Sequence, residues 1–347
     1  MSRAVNKVLG GWHDKGNGII LKTKVVRKMI DERKRQGESP LFHFNALHWT
    51  TKPGKAEGRV LCDCSNAEKD SVSLNTEAAK DAGVEEWGQI MHPTVKEIVR
   101  MICTMANEIG WENVRIWKMD VEGAFTLMDF DPRDVRLMSF EMTDELTYFP
   151  IAGIFGLTGM PFAFNVATKV LKETINGKIK GEMVMYVDDV IGISAVWHVN
   201  SDMQIAKRAI EGMFGPGTVA SAKTDMGTAL DVIGWNLDCS SQSFSMSGRN
   251  ADRALYRFLQ IDENEPVAIA HLETIASLAS RYALVCREMK PYVGHLYASF
   301  AGMKRGRFGG NKSVKVNLSE EARHCIRPRH QTVACLLVPT RAGRRQI

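Results

Sequence analysis

Met183-Val184-Met185-Tyr186-Val187-Asp188-Asp189-Val190-Ile191-Gly192-Ile193 sets two adjacent aspartates between two apolar runs rich in β-branched residues. Each run has the length and composition of a strand. The simplest structure is a β-hairpin with Asp188 and Asp189 at or beside its tip. Neighbouring residues on extended chain point to opposite faces, so the two carboxylates are predicted to do different work. Taken alone, an Asp-Asp pair is also an ordinary turn former. A second acidic strand end changes that balance. Residues 113–125 read as a strand that closes on Asp120 and turns at Gly123. Between the two lies Phe155-Gly156-Leu157-Thr158-Gly159-Met160-Pro161, a glycine-rich turn feeding a helix. Pro161 stands in its first turn, where proline is favoured.

These three segments, in this order, resemble motifs A, B and C of reverse transcriptases. Tyr186-Val187-Asp188-Asp189 matches the motif C box, and Asp120 the motif A aspartate. Phe155-Gly156-Leu157 with Pro161 is similar to motif B as retrotransposons carry it, especially the long-terminal-repeat and tyrosine-recombinase (DIRS-like) types. The resemblance spans roughly residues 40 to 305, and the ordered triple is more specific than any one box.

The resemblance implies an α+β right-hand polymerase with fingers, an antiparallel-sheet palm and a helical thumb. On that reading 1–40 is an N-terminal extension, 41–118 and 131–150 are fingers, and 119–130 and 151–248 are palm. The thumb is 249–305, and 306–347 is a basic tail. The implied reaction is nucleotidyl transfer from a dNTP to a primer 3′-hydroxyl on an RNA or DNA template. Mg²⁺ or Mn²⁺ would be held by Asp120, Asp188 and Asp189, oxygen ligands that suit a hard cation.

The same resemblance assigns roles to other residues. Arg59, four positions before Asp63, is implied to contact the incoming triphosphate, with Lys52 or Lys55 as a second cation. Guanidinium suits that task because it binds phosphate in a bidentate way and stays charged. Phe125, five positions after Asp120, is implied to lie under the incoming sugar and exclude a 2′-hydroxyl, which disfavours an RNA-dependent RNA polymerase. Gly156 would let the chain approach the template base or the nucleotide, with Phe155 and Tyr186 beside the substrate. Lys223 falls where motif D places a general acid for the departing pyrophosphate. Residues 231–238 resemble the motif E strand that positions the primer end, with 243–246 as its partner strand.

Composition is compatible with this. A chain of 347 residues with 44% hydrophobic and 24% charged residues has the make-up of a soluble globular protein with two or three cores. No apolar run approaches the ~20 residues of a membrane span, and the start lacks a secretory signal, so an intracellular setting without membrane partners is predicted. The seven cysteines are then expected to stay reduced. Cys62 and Cys64 alternate on one strand face and read as buried apolar residues. A net charge of +5 permits a polyanionic partner without requiring one.

Along the chain, Gly10-Gly11, Gly16 and Gly18 suggest turns before a charged helix from Thr23 to Gln36. His92-Pro93-Thr94 opens an amphipathic helix. Residues 135–140 and 146–151 suggest a strand pair, and Asn200-Ser201 a cap for a helix from Asp202 to Phe214. Helices are predicted over 251–259, 268–287 and 291–303. A retroelement fragment that keeps the fold but only binds nucleic acid is the competing reading. Oligomeric state is not encoded in any of these features.

Overall fold

A computed structural model describes residues 2–38, 44–51, 58–65, 73–77, 84–86, 88–262, 264–284, 290–301, 314–326 and 345–346. Helix α1 (Ser2–Asp14) leads into β1 (Gly18–Lys22) and α2 (Thr23–Arg35). The hairpin strands β2 (Ala46–Thr51) and β3 (Gly58–Asp63) follow, then α3 (Leu74–Glu77) and α4 (Val95–Ile109). Next come β4 (Val114–Asp120), the pair β5 (Phe140–Thr143) and β6 (Leu146–Pro150), and α5 (Met160–Asn176). Strands β7 (Glu182–Tyr186) and β8 (Asp189–Ala195) precede α6 (Val199–Phe214). Four short strands then run as β9 (Asp225–Gly227), β10 (Ala229–Val232), β11 (Trp235–Asp238) and β12 (Ser243–Met246). The last part holds α7 (Gly248–Leu259), β13 (Val267–Ala268), α8 (Ile269–Tyr282), α9 (Lys290–Ala298), β14 (Lys315–Val316), α10 (Glu320–Ile326) and β15 (Arg345–Gln346).

The sheet that matters most is antiparallel, in the order β7-β8-β4-β9. Its strands are apolar on both faces because both are covered. Trp117, Met119 and Val190 pack beneath α5 and α6, against Phe164, Leu171 and Ile210. Ile116, Val184 and Ile191 face the other way, against Ile98 and Ile102 of α4 and Leu237 of β11. Helix α4 starts where the sequence indicates: Thr94 caps it by accepting from the Glu97 N–H (3.2 Å), and Gly110 at φ 84° ends it.

A second sheet, β1-β6-β5, carries Phe140 and Tyr148 into a core shared with α1 and β3. Ile20 pairs with Tyr148, so residues 18–22 are built into this sheet rather than appended to it. Gly10-Gly11 lie inside α1, not in a turn. Burial of Val5 and Leu9 against the sheet outweighs the helix cost of two glycines, about 1 kcal/mol each. Residues 135–138 form a 3₁₀ turn instead of a strand, closed by the Leu137 N–H to the Asp134 carbonyl (2.8 Å). Helix α6 begins at Val199, which puts Asn200 and Ser201 inside its first turn instead of at its cap. Cys62 and Cys64 are buried and free, and burial pushes the Cys64 thiol up to about 12.

Helices α7, α8 and α9 enclose Phe258, Leu272, Ile275 and Leu296. Val316 and Ala322 join the same core, so packing continues beyond residue 306, where sequence suggested a tail. Among the described residues no helix is long and apolar enough to cross a membrane.

Candidate active site

The end of β4 lies against the start of β8, with Asp120 and Asp189 as register partners. Tyr186 pairs with Asp189 across a two-residue turn made of Val187 and Asp188. Val187 sits at φ 55° while Asp188 does not have positive φ, the pattern of a type II′ turn. Glycine is the usual residue there, and a β-branched one stores about 1–3 kcal/mol of strain. The apolar core under α5 and α6, against which Val187 packs, keeps it in place. The Val121 N–H donates to the Asp188 carbonyl (2.9 Å) and ties the hairpin tip to the end of β4. Strand alternation then puts Tyr186, Asp189 and Asp120 on the face that carries Val184, Ile191 and Ile116.

Asp120 is buried, at 9% exposure, and its Oδ2 accepts a hydrogen bond from Lys223 Nζ at 2.6 Å. The Ala220 N–H donates to the Asp120 carbonyl (2.9 Å), which lays the 3₁₀ turn Ser221–Lys223 over the strand end. A cleft of about 340 Å³ opens here, lined by Lys118, Asp120, Asp189, Lys223, Asp225 and Ile233 among others. Burial, then the nearby Asp188 and Asp120 charges, push the Asp189 carboxyl up to about 6, against the weaker pull of Lys223 and Lys118.

That shift has a definite sign. The folded value lies above the ordinary 3.8, so ionising Asp189 opposes folding. Its contribution to stability is full below 3.8 and lost as pH rises through about 6. Asp189→Asn removes this titration, so its thermal midpoint should gain on the wild type as pH climbs through that window. Allowing for solvent screening of a partly exposed group, the gain is roughly 1 kcal/mol. Calorimetry of both proteins from pH 4 to 8 without divalent ions reads it, and parallel curves would refute it.

Among the described residues no three His, Cys, Asp or Glu side chains are already gathered as a metal nest. The donors that face the cleft are carboxylates, with neither thiolate nor imidazole in its lining. That set fits a hard cation such as Mg²⁺ or Mn²⁺ and not zinc. The Lys223 ammonium forms an ion pair with Asp120 at the edge of this cleft.

Phe125 lies in the 3₁₀ turn Ala124–Leu127, past Gly123 at φ 74°. Its ring meets Phe155 at 5.0 Å and Phe164 at 6.0 Å between centroids. Tyr186 is exposed, and its ring lies tilted against that of His92 at 4.6 Å between centroids. Gly156, at φ 111°, approaches the chain itself and not open space for a ligand: a Cβ there would overlap the Cys62 carbonyl. The Phe155 carbonyl accepts from the Cys62 N–H (3.1 Å). Lys52 and Lys55 lie outside the described residues, as does the side chain of Arg59, whose backbone belongs to β3.

Two side chains had no assigned role in the sequence, and one stretch takes a different form from that expected. Asn75 donates to the Gly156 carbonyl (2.8 Å) and accepts from the Thr158 N–H (2.8 Å), pinning the turn before α5 to the β3 region. Lys118 Nζ donates to the Asp231 carbonyl (3.0 Å) across the cleft. Residues 231–238 are two strands, not one: β10 and β11 are split by Ile233 at φ 41° and Gly234 at φ 80°. An isoleucine in that region is a backbone outlier. An isolated glycine in an apolar run was the available signal for it. Strand β12 does pair with β11, as the sequence suggested.

No family model and no curated protein matches this chain. Solved structures do. A foamy viral protease-reverse transcriptase (dRH) in complex with double-stranded DNA matches with a TM-score of 0.56 at 13% identity, over 90% of this chain and 47% of that one. The same kind of protein with double-stranded DNA gives 0.55 at 14%, over 90% and 56%. With an RNA/DNA hybrid it gives 0.52 at 12%, over 90% and 36%. The chain thus spans about half or less of the proteins it matches. At such identity the likeness establishes architecture: the chain has a reverse-transcriptase-like polymerase fold, mixed α and β with antiparallel sheets.

Proposed function

We propose that the chain is an RNA-directed DNA polymerase of a retroelement, of the long-terminal-repeat or DIRS-like kind, acting on a template–primer duplex with dNTPs. The observation that carries this is the register pairing of Asp120 with Asp189, with Asp188 tied to the same strand end. Two strands far apart in sequence thereby present acids to one cleft. Asp120 and Asp188 would hold the cations in this reading, with Asp189 beside them. Bound Mg²⁺ or Mn²⁺ would lower the pKa of the primer 3′-hydroxyl and neutralise the triphosphate. The 3′-oxygen forms its bond to the α-phosphorus as the bond to pyrophosphate breaks. Lys223, which donates to Asp120, would in this reading move onto that leaving group and give it a proton. Phe125, backed by Phe155 and Phe164, is the wall that would exclude a 2′-hydroxyl.

The competing reading, a fold retained only for nucleic-acid binding, draws on the absence of a preformed three-carboxylate nest among the described residues. Primer extension separates the two. The purified protein should add dNTPs, and not rNTPs, to primers on RNA and DNA templates when Mg²⁺ or Mn²⁺ is present. Asp188→Ala should abolish the addition. Duplex binding without any extension would favour the second reading.

A further inference from the structure

The helical C-terminal unit reaches the cleft through a residue that no motif marks. Arg281, in the last turn of α8, sets its guanidinium 5.2 Å from the centroid of the Trp235 ring. From Nη2 it donates to the Ile233 carbonyl. The next carbonyl, of Gly234, accepts from Asn250 Nδ2 (3.3 Å) and from the Ser247 N–H (3.2 Å). The start of α7 and the end of α8 therefore hold the β10–β11 turn from behind. Val232 and Ile233 form part of the cleft wall, with Asp120, Asp189 and Lys223.

This turn requires holding. Ile233 sits at φ 41°, and Gly234 at φ 80° leaves no room for a Cβ, which would overlap Asn250 and Arg281. The Arg281 Nε is itself buried without a hydrogen-bond partner. A guanidinium held with one donor unmet is placed for the turn and the indole and not for its own satisfaction.

We propose that Arg281 is a positioning residue that couples the seating of α7 and α8 on a bound duplex to the turn 232–234, and so to where a primer end meets Asp120 and Asp189. The contact itself does not depend on the polymerase reading; its effect on nucleotide addition rests on it. Two measurements keep these apart. In hydrogen exchange by mass spectrometry, Arg281→Met should speed exchange in a peptide spanning 229–238 about tenfold, the worth of a hydrogen bond from a charged donor. Peptides from β4 and β8 should stay as in the wild type. Arg281→Lys keeps the cation over Trp235 and should fall between. No change at 229–238, or equal acceleration everywhere, overturns the latch.

In single-nucleotide addition, Arg281→Met should lower kcat about tenfold, with KM for dNTP and the duplex Kd within about twofold of wild type. A wild-type rate alongside altered exchange overturns the coupling to chemistry. Should the wild-type protein add no nucleotide, the polymerase reading fails, while the exchange data still decide the latch.

Discussion

Asp120→Asn should reduce nucleotide addition about a thousandfold while leaving duplex affinity within about threefold. The amide keeps the shape of the side chain and removes one unit of charge from a cleft that must bind cations. One charge at ~4 Å and an effective dielectric near 20 is worth about 4 kcal/mol. That energy corresponds to a factor of about 10³ in rate. Two features make Asp120 the more telling acid to change. It is the most enclosed, at 9% exposure, so water does little to replace its charge. It also carries the Lys223 contact at 2.6 Å, so the variant leaves that lysine a neutral acceptor in place of a charged one. Loss of an ion pair with a mostly exposed lysine contributes little to stability, so folding should be almost unaffected. The rate of single-nucleotide addition, duplex anisotropy and a melting curve together read these effects. An Asp120→Asn protein that retains a tenth of the wild-type rate would remove Asp120 from the chemistry.

Asp120, Asp188 and Asp189 were readable because their placement is a local matter of strand, turn and alternation. A strand ending in Asp120 and a hairpin tipped by Asp188 need only short-range rules. That Asp120 and Asp189 share a face follows once β4 and β8 pair, which the motif order implied and the register shows, with Asp188 in the turn beside them. Lys223 was placed by motif position, but its contact with Asp120 depends on the Ala220 backbone bond, a tertiary detail. Where reading failed, packing overrode local preference. Gly10-Gly11 sit in a helix because that helix has a core to cover. The break at Ile233-Gly234 was hidden because apolar residues continue on both sides, and Arg281, which holds it, comes from another unit. Gly156 was assigned to a ligand, but the close approach is to the Cys62 carbonyl, more than ninety positions away in sequence.

The frame behind the hairpin makes the second large prediction. Asp202 looks like an ordinary first-turn helix residue, yet it is fully buried. Its Oδ1 accepts from the Lys180 N–H (3.1 Å), and Oδ2 from the Gly181 N–H (3.0 Å) and Ser194 Oγ (2.7 Å). Ser194 Oγ in turn accepts from Trp117 Nε1 (2.9 Å). One carboxylate thus joins α6, the approach to β7, the end of β8 and the middle of β4, which are the parts that aim the acidic hairpin. Gly192 makes room for the indole: any Cβ there would overlap the Trp117 ring. Asp202→Ala leaves two partly buried backbone N–H groups and a buried hydroxyl without this acceptor, the buried hydroxyl costing about 1–3 kcal/mol and the others less. With partial relaxation the total should be about 3–5 kcal/mol, a melting shift of about 4–7 °C for a chain of this length. Asp202→Asn keeps the volume but must turn its NH₂ toward a donor, so about half that loss is expected. If destabilisation spreads to the hairpin, nucleotide addition by Asp202→Ala should fail some degrees below its melting point while duplex binding persists. A melting shift under about 3 °C would mean that the hairpin is held by apolar packing around Trp117 and Val190 alone.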